Sequence, residues 1–214
     1  MSESIQTYNQ AEQLFITEIR RIVDVARRNA YRAINIIQVI SNWLVGQRIV
    51  EQEQQGKTRA DYGKHVIELA SAALKEEFGS GYSETNIRNM RKFYLTFSNL
   101  EIQQTMPAEL KMLVEQNQQT LSAKSVGYTI PVYPQLSWSH YERLMRVEEE
   151  KARLWYLKEA AQQMWAVRTL ERNINTQYYE RLMLSEEKEP VIHEMRDKTR
   201  MFQQEKAAYI KNPV

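Results

Sequence analysis

The chain contains no cysteine. That excludes disulfides, zinc–thiolate sites and thiol nucleophiles, and it suits a reducing cytoplasm. It is also poor in residues that interrupt regular structure, with six glycines and five prolines in 214 residues. Long regular elements are therefore expected to dominate. No stretch approaches the roughly eighteen uninterrupted apolar residues that would cross a bilayer. The N-terminus, Met1-Ser2-Glu3-Ser4-Ile5-Gln6-Thr7-Tyr8, has no basic segment leading into an apolar run, so no signal peptide and no membrane partner are read. Charge of one sign is scarce too. The net charge is only +2, so any surface for a polyanion must be local, with acidic residues placed elsewhere. No phosphate-cradling loop is present, because Gly79-Ser80-Gly81 is not followed by Lys and Ser or Thr. His65, His140 and His193 are scattered without metal-ligand spacing. No metal and no cofactor are expected.

What is present is helical periodicity. Hydrophobic residues make up 43% and charged residues 26% of the chain, as in a globular protein. Ile19, Val23, Ala26, Ala30, Ala33, Ile37, Ile40 and Leu44 recur at alternating spacings of three and four. That predicts one long helix, or two consecutive ones, over residues 10–53. Arg20, Arg21, Arg27, Arg28 and Arg32 sit mostly off this stripe and read as a solvated basic face. The small residues Ala26, Ala30 and Ala33 would let another helix approach. Packing within the chain is the simpler reading, and a homo-oligomer through 10–53 is the alternative.

A second helix is expected over about 61–77, with Val66, Leu69, Ala70, Ala73, Leu74 and Phe78 on its apolar face. A tight turn, Phe78-Gly79-Ser80-Gly81, follows. Ser83 then suits a helix N-cap, because its hydroxyl can accept from unpaired first-turn amides. Ile87, Met90, Tyr94 and Phe97 form an inward stripe. The opposite face carries Thr85, Asn86, Arg88, Asn89, Arg91 and Lys92, side chains able to read base edges or grip phosphates. Helix, glycine turn and short polar-faced helix are the outline of a helix-turn-helix. The plain alternative is a core helix with a solvated face.

Residues 98–136 are the least regular. Pro107 opens a short helix, and the stretch near 121–135 reads as a short β-hairpin, a wing or an extended loop, at most the only β content expected. Helix resumes at Leu136 to Met145. Another covers about 149–164, carrying Ala152, Trp155, Tyr156, Ala160 and Met164. After a break near Met164-Trp165, a third runs to about Leu184. Val167, Leu170, Ile174 and Tyr178 or its neighbour Tyr179 are placed inward, and Arg168, Thr169, Arg172, Asn173 and Asn175 outward. Residues 185–214 read as a charged connector, helical from Pro190. The fold class is thus all-α, a helical bundle with helix-turn-helix-like units. The domain spans 1–184, with sub-units 10–97 and 136–184. Glu148-Glu149-Glu150-Lys151 is the one dense acidic run, and it reads as a solvated helix face rather than a catalytic cluster. Tyr62 has no neighbour in sequence to activate it as a nucleophile. Trp138, Trp155 and Trp165 read as core rather than as base-stacking platforms.

Several motifs occur together in order. They are Ala26-Arg27 with Asn35, the segment from Gly46 to Glu53, Asp61-Tyr62-Gly63, Phe78-Gly79-Ser80-Gly81-Tyr82-Ser83, and Asn86-Ile87-Arg88-Asn89-Met90-Arg91-Lys92-Phe93-Tyr94. Then come Leu136-Ser137-Trp138-Ser139-His140-Tyr141, Arg153-Leu154-Trp155-Tyr156 and Trp165-Ala166-Val167-Arg168-Thr169-Leu170-Glu171-Arg172. With this order and spacing, over roughly residues 15–185, the chain resembles the N-terminal domain of the YhcG family of bacterial proteins. The resemblance implies an all-helical, DNA-binding domain that normally precedes a restriction-endonuclease-like nuclease of the PD-D/E-x-K superfamily. This chain reaches Val214 about where that nuclease would begin, and it carries extra residues around 121–135. Nuclease activity is therefore not expected of it. The expected function is DNA targeting of a nuclease domain or partner chain, on duplex or branched DNA. The nominated contacts are Ser83, Thr85, Asn86, Arg88, Asn89, Arg91, Lys92, Arg168 and Arg172. The alternative is a helical protein–protein interaction or oligomerisation module without DNA contact.

Overall fold

The computed structural model describes residues 9–55, 60–98 and 133–211. Eight α-helices and no strand occur among them. They are α1 (Gln10–Gln55), α2 (Ala60–Phe78), α3 (Glu84–Phe97), α4 (Trp138–Leu144), α5 (Glu150–Gln162), α6 (Val167–Asn175), α7 (Tyr178–Leu184) and α8 (Lys188–Lys211). The helix expected from Pro107 lies outside the described residues. So does the hairpin expected near 121–135, apart from Tyr133-Pro134-Gln135, which end in a turn closed by Leu136 N donating to Tyr133 O at 2.9 Å. No helix of the described residues is long and apolar enough to cross a membrane.

The three–four spacing in α1 yields one unbroken helix of 46 residues, about 69 Å long at 1.5 Å per residue. Its two halves differ. From Ile36 onward it is core: Ile36, Val39, Ile40, Trp43 and Leu44 are buried. Before that it stands exposed, so packing within the chain describes only its C-terminal half.

The main core joins that half to the rest of the chain. Phe93 and Phe97 of α3, Tyr141 and Leu144 of α4, Tyr156, Leu157 and Ala160 of α5, and Leu170, Tyr178 and Met195 all belong to one buried cluster. A smaller cluster, Ile49, Val66, Ile67, Ile87 and Met90, seals α2 against α1 and α3. Aromatic edges organise the main cluster. Phe93 meets Phe97, Trp138 and Tyr141 at centroid distances of 5.3, 5.3 and 4.9 Å. Trp155 packs on Tyr156, Trp165, Tyr178 and Tyr179. Met195 and Thr199 of α8 are buried as well, so the first half of that charged helix docks on the bundle.

The third helix of the C-terminal region is two helices. Gln177, at φ 50°, breaks it between α6 and α7, as Met164 at φ 50° breaks α5 from α6. The buried face of α6 holds Thr169, Leu170 and Asn173. Thr169 and Asn173, expected outward, are wholly buried, while Arg168 and Asn175 face solvent. Met164, where a break was expected, is exposed.

The turn between α2 and α3 depends on one glycine. Gly79 has φ 90° and ψ −169°, a region essentially closed to side chains. Gly81 has open space and no such constraint. Gly79→Ala is expected to cost about 1–3 kcal/mol, and Gly81→Ala to stay within about 0.5 kcal/mol. Urea denaturation of the two variants side by side checks the asymmetry.

His140 anchors α4. Ser137 N donates to its Nδ1 at 3.0 Å, so Nδ1 is the acceptor and Nε2 carries the proton. Nε2 then donates to Trp165 O at 2.9 Å. His140→Phe would strand a buried carbonyl and an amide. A loss of about 1–3 kcal/mol is expected, read as a lower urea midpoint at unchanged slope.

Candidate nucleic-acid interface

The backbone of the unit α2, turn and α3 is fixed from both sides. Ser71 of α2 donates to Tyr82 O at 2.9 Å. Asn86 Nδ2 reaches back to Gly81 O at 2.8 Å. Ser83 caps α3, its Oγ accepting from Asn86 N at 3.4 Å. Gly46 of α1 lies so close under α3 that a Cβ there would stand 2.1 Å from Met90 O. The small residue lets the two backbones touch and sets where α3 lies.

The nominated side chains of α3 divide into two groups. Asn86, Asn89 and Arg91 are half-buried and engaged within the protein. Asn89 Nδ2 donates to Glu142 Oε1 at 3.2 Å. Arg91 Nε spans both oxygens of Glu53, at 2.9 and 2.7 Å, and so ties α3 to α1. Thr85, Arg88 and Lys92 are exposed, with Leu95 beyond them on the same face. Arg88 is held only by an exposed pair with Glu84 at 2.7 Å. Such a pair contributes little, because water screens it. Arg88 can therefore leave Glu84 for a phosphate at small cost.

The polar surface continues from α3 over α4 to α6. Glu142 of α4 receives Asn89, and the neighbouring Arg143 Nε lies 2.9 Å from Glu171 Oε1 of α6. Arg146, two residues past the end of α4, approaches the same carboxylate at 3.9 Å and is largely exposed. Arg168 is exposed one turn before Glu171, and Arg172 is half-buried beside it. So α4 joins the two nominated regions, and it brings Arg143, with Arg146 just past its end, neither of them nominated. Their signal was the three-residue spacing of two arginines at the end of α4. It means little until Glu171 is known to lie opposite.

Tyr156 holds α6 in place. Its hydroxyl lies 3.1 Å from Asn173 O and 3.2 Å from Glu180 Oε2, to either of which it can donate, and it accepts from Tyr179 N at 3.0 Å. Burial, chiefly, pushes this phenol and that of Tyr141 well above the ordinary range. Both phenols are thus neutral, and that of Tyr141 accepts from Tyr133 N at 3.0 Å. Glu159 is raised, first by desolvation. Glu194 is lowered, first by its bond to Lys198 and then by Arg181, which links α7 to α8.

The acidic run is exposed, with Glu148 and Glu149 ahead of α5 and Glu150 at its first position. Trp165 is buried, and Trp138 and Trp155 are half-buried in the aromatic clusters. Tyr62 accepts from Gln52 Nε2 at 2.9 Å.

The fold defines an all-α domain in which Asn89 with Glu142 and Arg143 with Glu171 link α3, α4 and α6. The chain belongs to the DUF1016 N-terminal domain family, whose model matches residues 18–181. It is 40% identical over 187 residues to the Escherichia coli (strain K12) protein named "Putative nuclease YhcG". That alignment covers 82% of this chain and 48% of the relative, so the chain spans about half the relative's length. No solved structure matches it significantly.

Proposed function

We propose that this chain is the DNA-binding, targeting part of a nuclease-type protein, with α2, the glycine turn and α3 acting as a helix-turn-helix. The observation that carries the reading is the open face of α3. Thr85, Arg88 and Lys92 stand exposed on a helix locked by Ser83, Asn86, Asn89 and Arg91. A rigid helix with a small free polar face is what groove docking requires. The arginines of α4 and α6 extend that face and suit backbone phosphates, which position a protein without reading sequence. Relationship to a protein named as a nuclease supports the association with DNA cleavage. In this reading the chain places catalysis supplied elsewhere, and it works in the cytoplasm, where bacterial DNA lies.

The test is a gel-shift titration with duplex, branched and single-stranded DNA of equal length. The reading expects duplex or branched DNA to bind tighter than the single strand, with affinity falling as salt rises. Equal, salt-insensitive retention of all three would overturn it.

A further inference from the structure

The N-terminal half of α1 is a helix without a packing partner among the described residues. Phe15 (61%), Ile19 (44%), Ile22 (68%), Ile34 (62%) and Ile37 (47%) are all exposed, and so are Ala26 and Ala30 between them. These residues fall on one line along the helix. Such a helix is stabilised mainly by burying its apolar face.

The line is symmetric about position 28. Ala26 and Ala30 are equidistant from it, as are Ile22 and Ile34, Ile19 and Ile37, and Phe15 and Ser41. An antiparallel copy of the same helix, crossing at position 28, sets each of these residues opposite its mirror position. At its far end lies a groove of about 480 Å³, walled by Ile37 and Ser41 of α1 and by Tyr82, Met90 and Trp138. We infer that two copies of this chain pair through antiparallel α1 helices, alanine on alanine at the centre, with each Phe15 seated in the groove of the other copy.

Three features favour a second copy. Small residues at the centre let the backbones approach, and large ones at both ends bury area. The exposed parts of the apolar side chains come to on the order of 600 Å² per chain, so a pair would bury about 1,200 Å², which reaches the range of specific interfaces. A parallel pair would instead set Phe15 against Phe15 and leave both grooves unfilled. Arg20, Arg21, Arg27 and Arg28 stand off the line, and Arg28 is already paired with Asp24 at 2.7 Å. The inference is independent of DNA binding.

The test uses the whole chain, whose lack of cysteine gives a clean background. Sedimentation equilibrium is expected to give twice 25.4 kDa. Ile22→Glu is expected to give the monomer while keeping a cooperative thermal melt, since Ile22 lies outside both buried clusters. Chains carrying Ala26→Cys and chains carrying Ala30→Cys are expected to cross-link when mixed and oxidised, and neither alone. In the antiparallel register each cysteine opposes the other type, and like positions are too far apart for a disulfide. A monomeric wild type, an Ile22→Glu variant that stays dimeric, or cross-linking of either single variant alone would overturn the pairing.

Discussion

Gly46→Val is expected to destabilise the protein by about 3 kcal/mol or more, at the upper end of the overpacking range. A glycine inside a helix normally costs about 1 kcal/mol relative to alanine, so removing one should help. Here the sign reverses. A Cβ at position 46 would stand 2.1 Å from Met90 O, 2.7 Å from Met90 C and 3.1 Å from Tyr94 Cβ. Two of those atoms are backbone and cannot swing away. Either α1 and α3 separate or the strain stays. Separation would open both clusters that meet at the crossing, around Trp43 and Phe93 on one side and Ile49 and Met90 on the other. For a domain of this size, 3 kcal/mol corresponds to roughly 6–12 °C in midpoint. Gly63→Ala is the control, since its Cβ would meet only the end of the Glu53 side chain, at 3.3 Å. It is expected to stay within about 0.5 kcal/mol of wild type. Thermal melts of both variants decide the point. Similar midpoints for the two would show that the crossing does not need Gly46.

Replacing Arg88, Lys92 and Arg168 together with alanine is expected to weaken duplex binding by 100-fold or more. A single lost base or phosphate contact is worth about 1–3 kcal/mol, and about 1.4 kcal/mol is tenfold. All three side chains are exposed, so the melting midpoint should hardly move. Arg91→Ala should behave differently. It would leave Glu53 largely buried without its partner, and it should lower stability as well as affinity. Glu84→Gln carries the opposite sign: it releases Arg88 and removes a negative charge from the start of α3, so binding should tighten. Anisotropy titrations paired with melts separate these outcomes. A triple variant that loses affinity only by unfolding would contradict the assignment of the face.

Much of this arrangement is legible in residue order, and the exceptions have physical causes. The spacing of three and four from Ile19 to Leu44 specifies one helix because nothing in it interrupts the backbone. It cannot say what the stripe faces, and the two halves of α1 meet different surroundings. Phe78-Gly79-Ser80-Gly81 and Ser83 mark the turn and the cap through local chemistry, and both stand where expected. Arg91 looked like a groove reader because Glu53, its partner, is 38 residues away. Thr169 and Asn173 looked solvated because they are polar. They lie on the same buried face of α6 as Leu170, and the break at Gln177 carries no glycine or proline to announce it. Arg143 and Arg146 gain meaning only from Glu171, which tertiary packing alone sets opposite them.

The most direct measurement is duplex-DNA affinity against salt concentration for the wild type and for the Arg88, Lys92 and Arg168 triple-alanine variant. Each phosphate contact contributes about −0.9 to the slope of log affinity on log salt. A steep negative slope for the wild type is expected, with a shallower slope and weaker binding for the variant. A flat wild-type line, or superimposable lines for the two proteins, would contradict DNA binding through this face.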